Sequence, residues 1–446
     1  MLTAFVSAIK TPDLRKKILF TLGMLVLYRL GATIPSPGVN YTAVHQCLDS
    51  ATGDANQTFT LLNLFSGGAL LQLSIFALGI MPYITASIIV QLLVVVIPRY
   101  EQYKQEGQAG QAKMTQHTRY ITIGLGVLQS AGFIALALNG QMFAGCAQGK
   151  DVIYGKDPLT LATLVLVMTA GTTAIMWMGE LITDRGIGNG MSLLIFTSIA
   201  ARIVPEGQNI LTNNSPVVFG VMVALAFGII IAVVYIEQGQ RRIAVQYAKR
   251  MIGRKMYGGT STYLPLKVNQ GGVIPVIFAS SLLYIPTLIT SLIASTTTDK
   301  DGTVVVNPIV TFVNEYIAAP GAWSHVLLYF LLIIFFTYFY NGIQFNPVDR
   351  ADDLKKYGGF IPGIRPGRPT AEYLQFVLSR ITLPGSLYLG VVAILPDFFL
   401  SVTGPGNNQN FPFGGVSVLI LVAVGLDTMK QVESQLMQRN YEGFLR

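Results

Sequence analysis

The chain has 446 residues, of which 52% are hydrophobic and only 12% are charged, and its mean hydropathy is +0.53. Soluble domains usually carry about twice that fraction of charge, so the composition excludes a soluble multidomain enzyme and indicates a membrane protein. At roughly 40 to 45 residues for each spanning helix and its loop, the length allows about ten spans. The net charge of +8 must be located loop by loop, because its placement carries more information than its sum.

Ten stretches with few or no charged residues recur along the chain. Together they predict ten transmembrane helices and an all-α, polytopic fold. The fifth and tenth are short for a hydrocarbon core about 30 Å thick, so we expect those helices to continue into partly polar flanks. The predicted spans cover residues 18–34, 74–97, 120–138, 159–179, 186–201, 217–236, 271–295, 323–345, 381–395 and 411–426.

The loops between these spans differ sharply in Lys and Arg content, and this difference predicts the orientation of the chain. The two terminal segments and alternate loops together hold 24 of the 30 basic residues. The opposite loops hold only Lys150, Lys156, Arg202 and Lys300. Both termini are therefore predicted to be cytoplasmic, which agrees with an even number of spans.

The first external loop, residues 35–72, contains no Lys or Arg and ends in an apolar piece that is too short to span a bilayer. This piece, residues 59–73, carries Gly67 and Gly68, which weaken a helix. We interpret it as a re-entrant or surface segment. Non-helical backbone is tolerated at membrane depth only where protein buries it or water lines it, so the segment indicates a cavity that opens outward. An interfacial amphipathic anchor is the alternative.

Two predicted cytoplasmic loops, residues 237–270 and 346–372, are unusually long and basic. Residues 358–369 read GGFIPGIRPGRP, and we expect no helix there because its three prolines remove amide donors and restrict the residues before them. A rigid, projecting, positively charged turn results. The positive-inside effect alone explains the charge but not the length or shape, so we favour docking of a large anionic partner.

The sequence lacks the usual signatures of catalysis and of ion-coupled transport. The histidines and cysteines are scattered, and the glycines of residues 186–190 follow no predicted strand, so neither a metal site nor a cofactor is predicted. The acids nearest the spans, Glu180, Asp184 and Asp427, fall at cytoplasmic ends rather than near the midplane. Arg29 and Arg380 lie in or beside spans, where pairing with carbonyls or with lipid headgroups accounts for them. A helical channel or transporter with a plug-like external segment remains.

Five longer motifs, in order, resemble the SecY family of protein-conducting channel subunits of the bacterial translocase. They are LFSGGALLQLSIFALGIMPYITASIIVQLL (64–93), EGQAGQAKMTQHTRY (106–120), DRGIGNGMSLLIF (184–196), LPLKVNQGGVIPVIFASSLL (264–283) and GGFIPGIRPGRPTAEYL (358–374). The resemblance runs from about residue 11 to residue 441. It implies ten helices in two inverted halves, residues 1–205 and 206–431, followed by a cytoplasmic tail at 432–446.

The resemblance also implies a pore and a plug. The family's apolar pore ring falls on Ile80, Ile84, Met191, Ile195, Ile277 and Ile420. Met191 departs from the isoleucine that is common at its position, and methionine is the more flexible side chain. The plug falls on residues 60–71, with Leu61, Leu62, Leu64, Phe65, Gly67 and Gly68.

A lateral gate and a docking surface follow from the same resemblance. The gate lies between the second and third helices on one side and the seventh and eighth on the other, with Thr85, Gln91 and Ile285 along it. The basic loops correspond to those that bind the ribosome or the SecA motor, with Arg254, Lys255 and Arg365 at the positions of greatest interest. The subunits SecE and SecG are further implied partners.

The resulting hypothesis is a passive channel in the bacterial cytoplasmic membrane, without catalytic residues or cofactors. It would pass unfolded polypeptides that carry signal sequences across the membrane and release transmembrane segments sideways into lipid. Ribosomal synthesis or the SecA ATPase would supply the energy. The alternative is a secondary transporter of a small solute or a lipid-linked sugar, which a titratable residue at the midplane would favour.

Overall fold

The computed structural model describes residues 10–50, 66–138, 152–154, 157–213, 216–247, 250–252, 255–257, 261–294, 312–318, 322–402 and 415–442. Helices α1 to α7 span Pro12–Thr33, Tyr41–Ser50, Met81–Val96, Pro98–Gln105, Gln108–Leu138, Pro158–Arg185 and Gly190–Asn213. Helices α8 to α13 span Pro216–Gln238, Ile274–Ala294, Trp323–Gln344, Pro347–Lys356, Arg368–Val402 and Gly415–Glu442, and a π-helix spans Val313–Ala318. Strands β1 to β5 span Gln240–Tyr247, Arg250–Ile252, Lys255–Tyr257, Ser261–Lys267 and Gly359–Phe360.

Each of the ten predicted spans overlaps a helix, so the prediction of a helical, polytopic fold is confirmed. Within the described residues, six helices are long and apolar enough to cross a bilayer. The number rises to seven if α3 and α4, which are bent by 100° relative to each other, form one span. α7 and α9 contain Pro205 and Pro286, and the apolar helices recognised in them are shorter. The count of ten crossings stays a prediction.

The second predicted span begins later in the structure than at residue 74. Residues 67–80 form successive turns, and α3 starts at Met81. Hydropathy does not distinguish apolar turns from an apolar helix, which explains the error. Ile80 is therefore the N-cap of α3. Pro82 lies in the first turn, where the missing amide hydrogen removes no helical hydrogen bond, so it begins the helix instead of kinking it.

The two basic loops fold against each other, which the sequence analysis does not predict. Strand β1 pairs antiparallel with β4 and β5 in a three-stranded sheet, and β2 pairs with β3 in a separate two-stranded sheet. Since β5 belongs to the second loop, the sheet joins residues 237–270 to residues 346–372. A small hydrophobic core forms here from Ile243, Leu266, Ile361, Leu374 and Val377.

The irregular turn in the second loop is shorter than predicted. Residues 361–367 are irregular, and Gly363 and Gly367 have φ values of +84° and +107°, which favour glycine. However, α12 already begins at Arg368, so the expectation that residues 358–369 contain no helix is wrong for the last two. Pro369 is compatible with a helix there because it lies in the first turn.

One large hydrophobic core connects helices from both ends of the chain. α3 and α5 contact α9 on one side, and α7 contacts α8 and α13 on the other. Helices α1 to α7 therefore meet helices α8 to α13 along two seams.

The small core predicts that the basic loops can be loosened without unfolding the bundle. Leu374 is fully buried in this core, and its truncation to alanine should cost about 2 to 5 kcal/mol locally. We expect Leu374→Ala to accelerate trypsin cleavage within the loops of the detergent-purified protein by at least about tenfold. Phe376→Ala is the matched control, because Phe376 lies on the same helix and is 59% exposed. Equal cleavage rates for both variants would contradict a cooperative loop core.

Candidate functional site

Four helix regions bring the pore-ring positions into one hydrophobic core. Ile80, Ile195, Ile277 and Ile420 are buried, at no more than 7% exposure, and they come from the start of α3 and from α7, α9 and α13. Ile84 and Met191 are partly buried and pack against the same core. Helices from both sides of the two seams therefore contribute to it.

Besides packing against the core, the side chain of Met191 packs against Gly179 of α6. Its side chain lies against Gly179 of α6, in the space that a Cβ atom at this glycine would occupy. The thioether therefore fills a gap between α6 and α7, as a flexible side chain can. Met191 therefore has a packing role between α6 and α7 besides any role in the ring.

The gate positions lie on helices that meet at one seam. Thr85 donates a hydrogen bond from Oγ1 to the carbonyl of Met81, one turn earlier in α3. The Oε1 atom of Gln91 is buried and has no hydrogen-bond partner among the described residues. Ile285 belongs to α9, but its side chain lies outside the described part of the chain. At the end of the same seam, the ammonium of Lys104 on α4 donates to the carbonyl of Ile343 in the last turn of α10, at 3.0 Å.

The described part of the external segment is buried rather than spread over the surface. Leu61, Leu62, Leu64 and Phe65 lie outside the described residues. Gly67 and Gly68 form a turn with φ values of +68° and +95°. The neighbouring side chains of Ser66, Ala69, Leu70 and Leu73 are at most 2% exposed.

Arg29 of α1 holds this turn directly. Its Nη1 atom donates a hydrogen bond to the carbonyl oxygen of Gly67 at 2.9 Å, so the prediction that Arg29 pairs with a carbonyl is confirmed. Arg380, by contrast, lies over the ring of Phe376, at 5.4 Å. No sequence pattern predicts this partner of Arg29, since the two residues are 38 positions apart and the acceptor is a backbone atom.

The docking positions lie in the folded basic loops. Arg365 is exposed in the irregular turn, and its carbonyl accepts a hydrogen bond from Thr370 Oγ1 at 2.8 Å. Lys255 begins β3, and its side chain is outside the described part, as is the whole of Arg254. Exposed cations also lie on β1, at Arg241 and Arg242. The sheet thus gathers positive charge from both loops onto one folded unit.

The described residues contain no group of three or more His, Cys, Asp or Glu side chains placed to bind a metal ion. What the structure does offer is one apolar core that holds the ring positions, a buried turn held by α1, a seam between two helix groups and a basic surface. These features suit a barrier that opens.

Comparison with known proteins identifies the family of this chain. A family model described as SecY matches residues 74–429. Protein translocase subunit SecY of Mycobacterium bovis is 63% identical over 447 aligned residues, which cover 100% of both chains. The subunit of the same name from Streptomyces coelicolor is 58% identical, again with 100% of both chains covered.

Solved structures show the same fold. One described as a protein conducting channel matches with a TM-score of 0.62 and 19% identity, covering 93% of this chain and 91% of that one. Sec61 in the canine ribosome-channel complex from the endoplasmic reticulum matches with a TM-score of 0.57 and 18% identity over the same shares. Since the family model covers most of the chain and the identity extends over its full length, the chain belongs to the SecY family.

Proposed function

We propose that this chain is the central subunit of a protein translocation channel. It passes unfolded polypeptides across the bacterial cytoplasmic membrane and releases transmembrane segments sideways into lipid. The observation that carries the proposal is the 63% identity, over the full length, to proteins named translocase subunits. The chain acts as a channel and not as an enzyme, so an external motor or ribosomal synthesis supplies the energy.

The resting barrier is an apolar seal. The six positions Ile80, Ile84, Met191, Ile195, Ile277 and Ile420 exclude water and ions by dewetting, because a narrow apolar constriction cannot solvate an ion. Support comes from the burial of four of them in a core that crosses both seams. Apolar side chains make no directional bonds with one another, so a passing polypeptide can displace them.

Sideways release takes place along the seam where α3 and α5 contact α9. In this proposal residues 1–205 and 206–431 form two halves that separate there, with Thr85, Gln91 and Ile285 along the opening. The buried, unpartnered Oε1 of Gln91 supports it, since this acceptor gains a partner when the seam admits a peptide or water.

Residues 60–71 act as a plug on the external side of the seal. The burial of Ser66, Ala69, Leu70 and Leu73 supports this role over that of a surface anchor, because an interfacial anchor keeps a polar face in water. Among the described residues, no comparable structural observation supports the alternative function, a solute transporter.

The folded basic loops and the tail at 432–446 face the cytoplasm, together with the N-terminus. Their charge attracts an anionic partner, and in this family's translocases the SecA ATPase and the ribosome are the candidates, with SecE and SecG as accompanying subunits. The exposure of Arg365 on a turn anchored to a sheet supports docking at this surface.

Polar substitutions in the ring should open the seal. We expect Ile84→Asn and Ile277→Asn to raise the resting ion conductance of reconstituted channels and to permit export of substrates with defective signal sequences, because a wetted constriction loses its barrier. Leu282→Asn in the same helix as Ile277 is the control, since Leu282 is 43% exposed. If the ring variants match wild type in both assays, these residues are ordinary core packing.

Charge reversal at the turn should separate docking from assembly. Arg365→Glu should preserve membrane insertion and subunit assembly while slowing ATP-driven translocation several-fold, and added salt should weaken the remaining coupling. The control is Lys16→Glu, which makes a charge reversal at an exposed lysine on α1, outside the two basic loops. Normal export by purified components carrying Arg365→Glu would exclude a docking role for this residue.

A disulfide can lock the plug in place. The position of a Cβ atom on Gly67 lies 3.3 Å from Ser198 Cβ, a few tenths of an ångström short of the separation in natural disulfides, so a small outward shift of the turn allows the bridge to form. With both native cysteines replaced by serine, combining Gly67→Cys with Ser198→Cys should block export under oxidising conditions and restore it on addition of reductant. The two single variants are the controls: Gly67→Cys carries the same strain at the turn but cannot form the bridge, so only a block that reductant reverses is assigned to the disulfide. Export at full rate by the verified disulfide form would make residues 60–71 a surface anchor.

A further inference from the structure

We propose that Arg29 is a positioning residue that pins the turn of Gly67 and Gly68 and thereby keeps the channel closed at rest. The proposal rests on the plug role of residues 60–71. It adds that one guanidinium on α1, and not apolar packing alone, sets how often that plug leaves its seat.

The first support is the hydrogen bond itself. Arg29 is half-buried, and its Nη1 atom donates to the Gly67 carbonyl at 2.9 Å. A hydrogen bond from an ionised donor is stronger than a neutral one, and it gains further where water is scarce. If the turn leaves its seat, both the carbonyl and the guanidinium lose this partner, so the contact opposes release.

The second support is that the seat fits only glycine. A Cβ atom on Gly67 would approach Arg29 Nη1 to 2.9 Å and Ser198 Cα to 3.1 Å. A Cβ atom on Gly68 would approach Arg202 Nη1 to 3.2 Å. Both glycines also have positive φ, which other residues rarely adopt. The backbone of the turn is therefore held close between α1 and α7.

The third support is that Arg29 is itself held in place. The hydroxyl of the preceding residue, Tyr28, is fully buried and lies 2.6 Å from Ser198 Oγ, in hydrogen-bond contact with α7. The ring of Tyr28 stacks on Phe76, with centroids 6.0 Å apart. Phe76 follows the plug in the chain, so the same short stretch of α1 binds the turn and the segment after it.

The residues that contact the turn and the segment after it all lie on one side of the gate seam. Arg29, Ser198, Arg202 and Phe76 all belong to residues 1–205, and none of them lies on α9, the helix across the gate seam. Separation of the two halves therefore leaves the Arg29 contact intact. Lateral opening and plug release become two separable steps, and the second needs a force on the plug itself.

The test compares the resting open probability of single channels reconstituted as the full subunit complex. Arg29→Met removes the donor and keeps an unbranched side chain, and it should raise the ratio of open to closed time by about tenfold or more. Arg380→Met is the matched control, because this arginine lies over Phe376 on α12, outside residues 1–205. Wild-type open probability for Arg29→Met would overturn the proposal.

Deleting residues 60–71 distinguishes failure of this inference from failure of the plug assignment. If the deletion raises openings and Arg29→Met adds nothing in that background, both claims stand, because the mutation then acts through the plug. If the deletion raises openings but Arg29→Met raises them further to the same degree as in wild type, Arg29 acts elsewhere and this inference is wrong. If the deletion leaves openings unchanged, the plug role itself is wrong.

Gly67→Ala tests the same contact from the other side, in case Arg29→Met does not assemble. The added methyl group clashes with Arg29 and Ser198 and is strained at φ +68°, so it should raise openings in a similar way. An alanine variant that assembles and stays closed as wild type would also contradict the proposal.

Discussion

The structure depends on how a stretch of non-helical backbone satisfies its hydrogen bonds deep inside a helical protein. An unsatisfied amide or carbonyl in a hydrocarbon setting is costly, so turns persist there only where protein supplies partners. The Ser36 amide donates to the Leu73 carbonyl, and the Ile75 amide donates to the Ile34 carbonyl, each at 3.0 Å. With Arg29 on Gly67, α1 and its end form the scaffold on which the turns of residues 67–80 and the start of α3 are placed.

The proposed barrier combines two kinds of interaction with different consequences for opening. Contacts among the isoleucines of the proposed ring are apolar and non-directional, so they would weaken gradually as a chain enters and reform after it leaves. The contact of Arg29 with the Gly67 carbonyl is directional and is either made or broken. In this account the apolar ring supplies tightness around a moving substrate, and the polar contact supplies a defined closed state between substrates.

The helices were predictable because hydropathy over about twenty residues carries enough signal, whereas several local features were not. Charge and the content of glycine and proline do not predict the sheet, although β1 has alternating exposed and buried residues. The start of α12 at Arg368 differs from the expectation because Pro369 lies in the first helical turn, where proline does not break a helix. The ring, plug and gate residues came from the family resemblance. The hydrogen-bond acceptor of Arg29 is a backbone carbonyl, so no pattern of side chains along the sequence predicts this contact.

The most direct test of the central claim asks whether a translocating chain passes the proposed constriction. A photo-crosslinking residue at position 84 should capture a stalled secretory polypeptide in the assembled complex. The same probe at position 128, where Leu128 is 63% exposed on α5, should capture lipid or no substrate at all. Capture of the stalled chain at position 128 and not at position 84 would contradict a path through the ring.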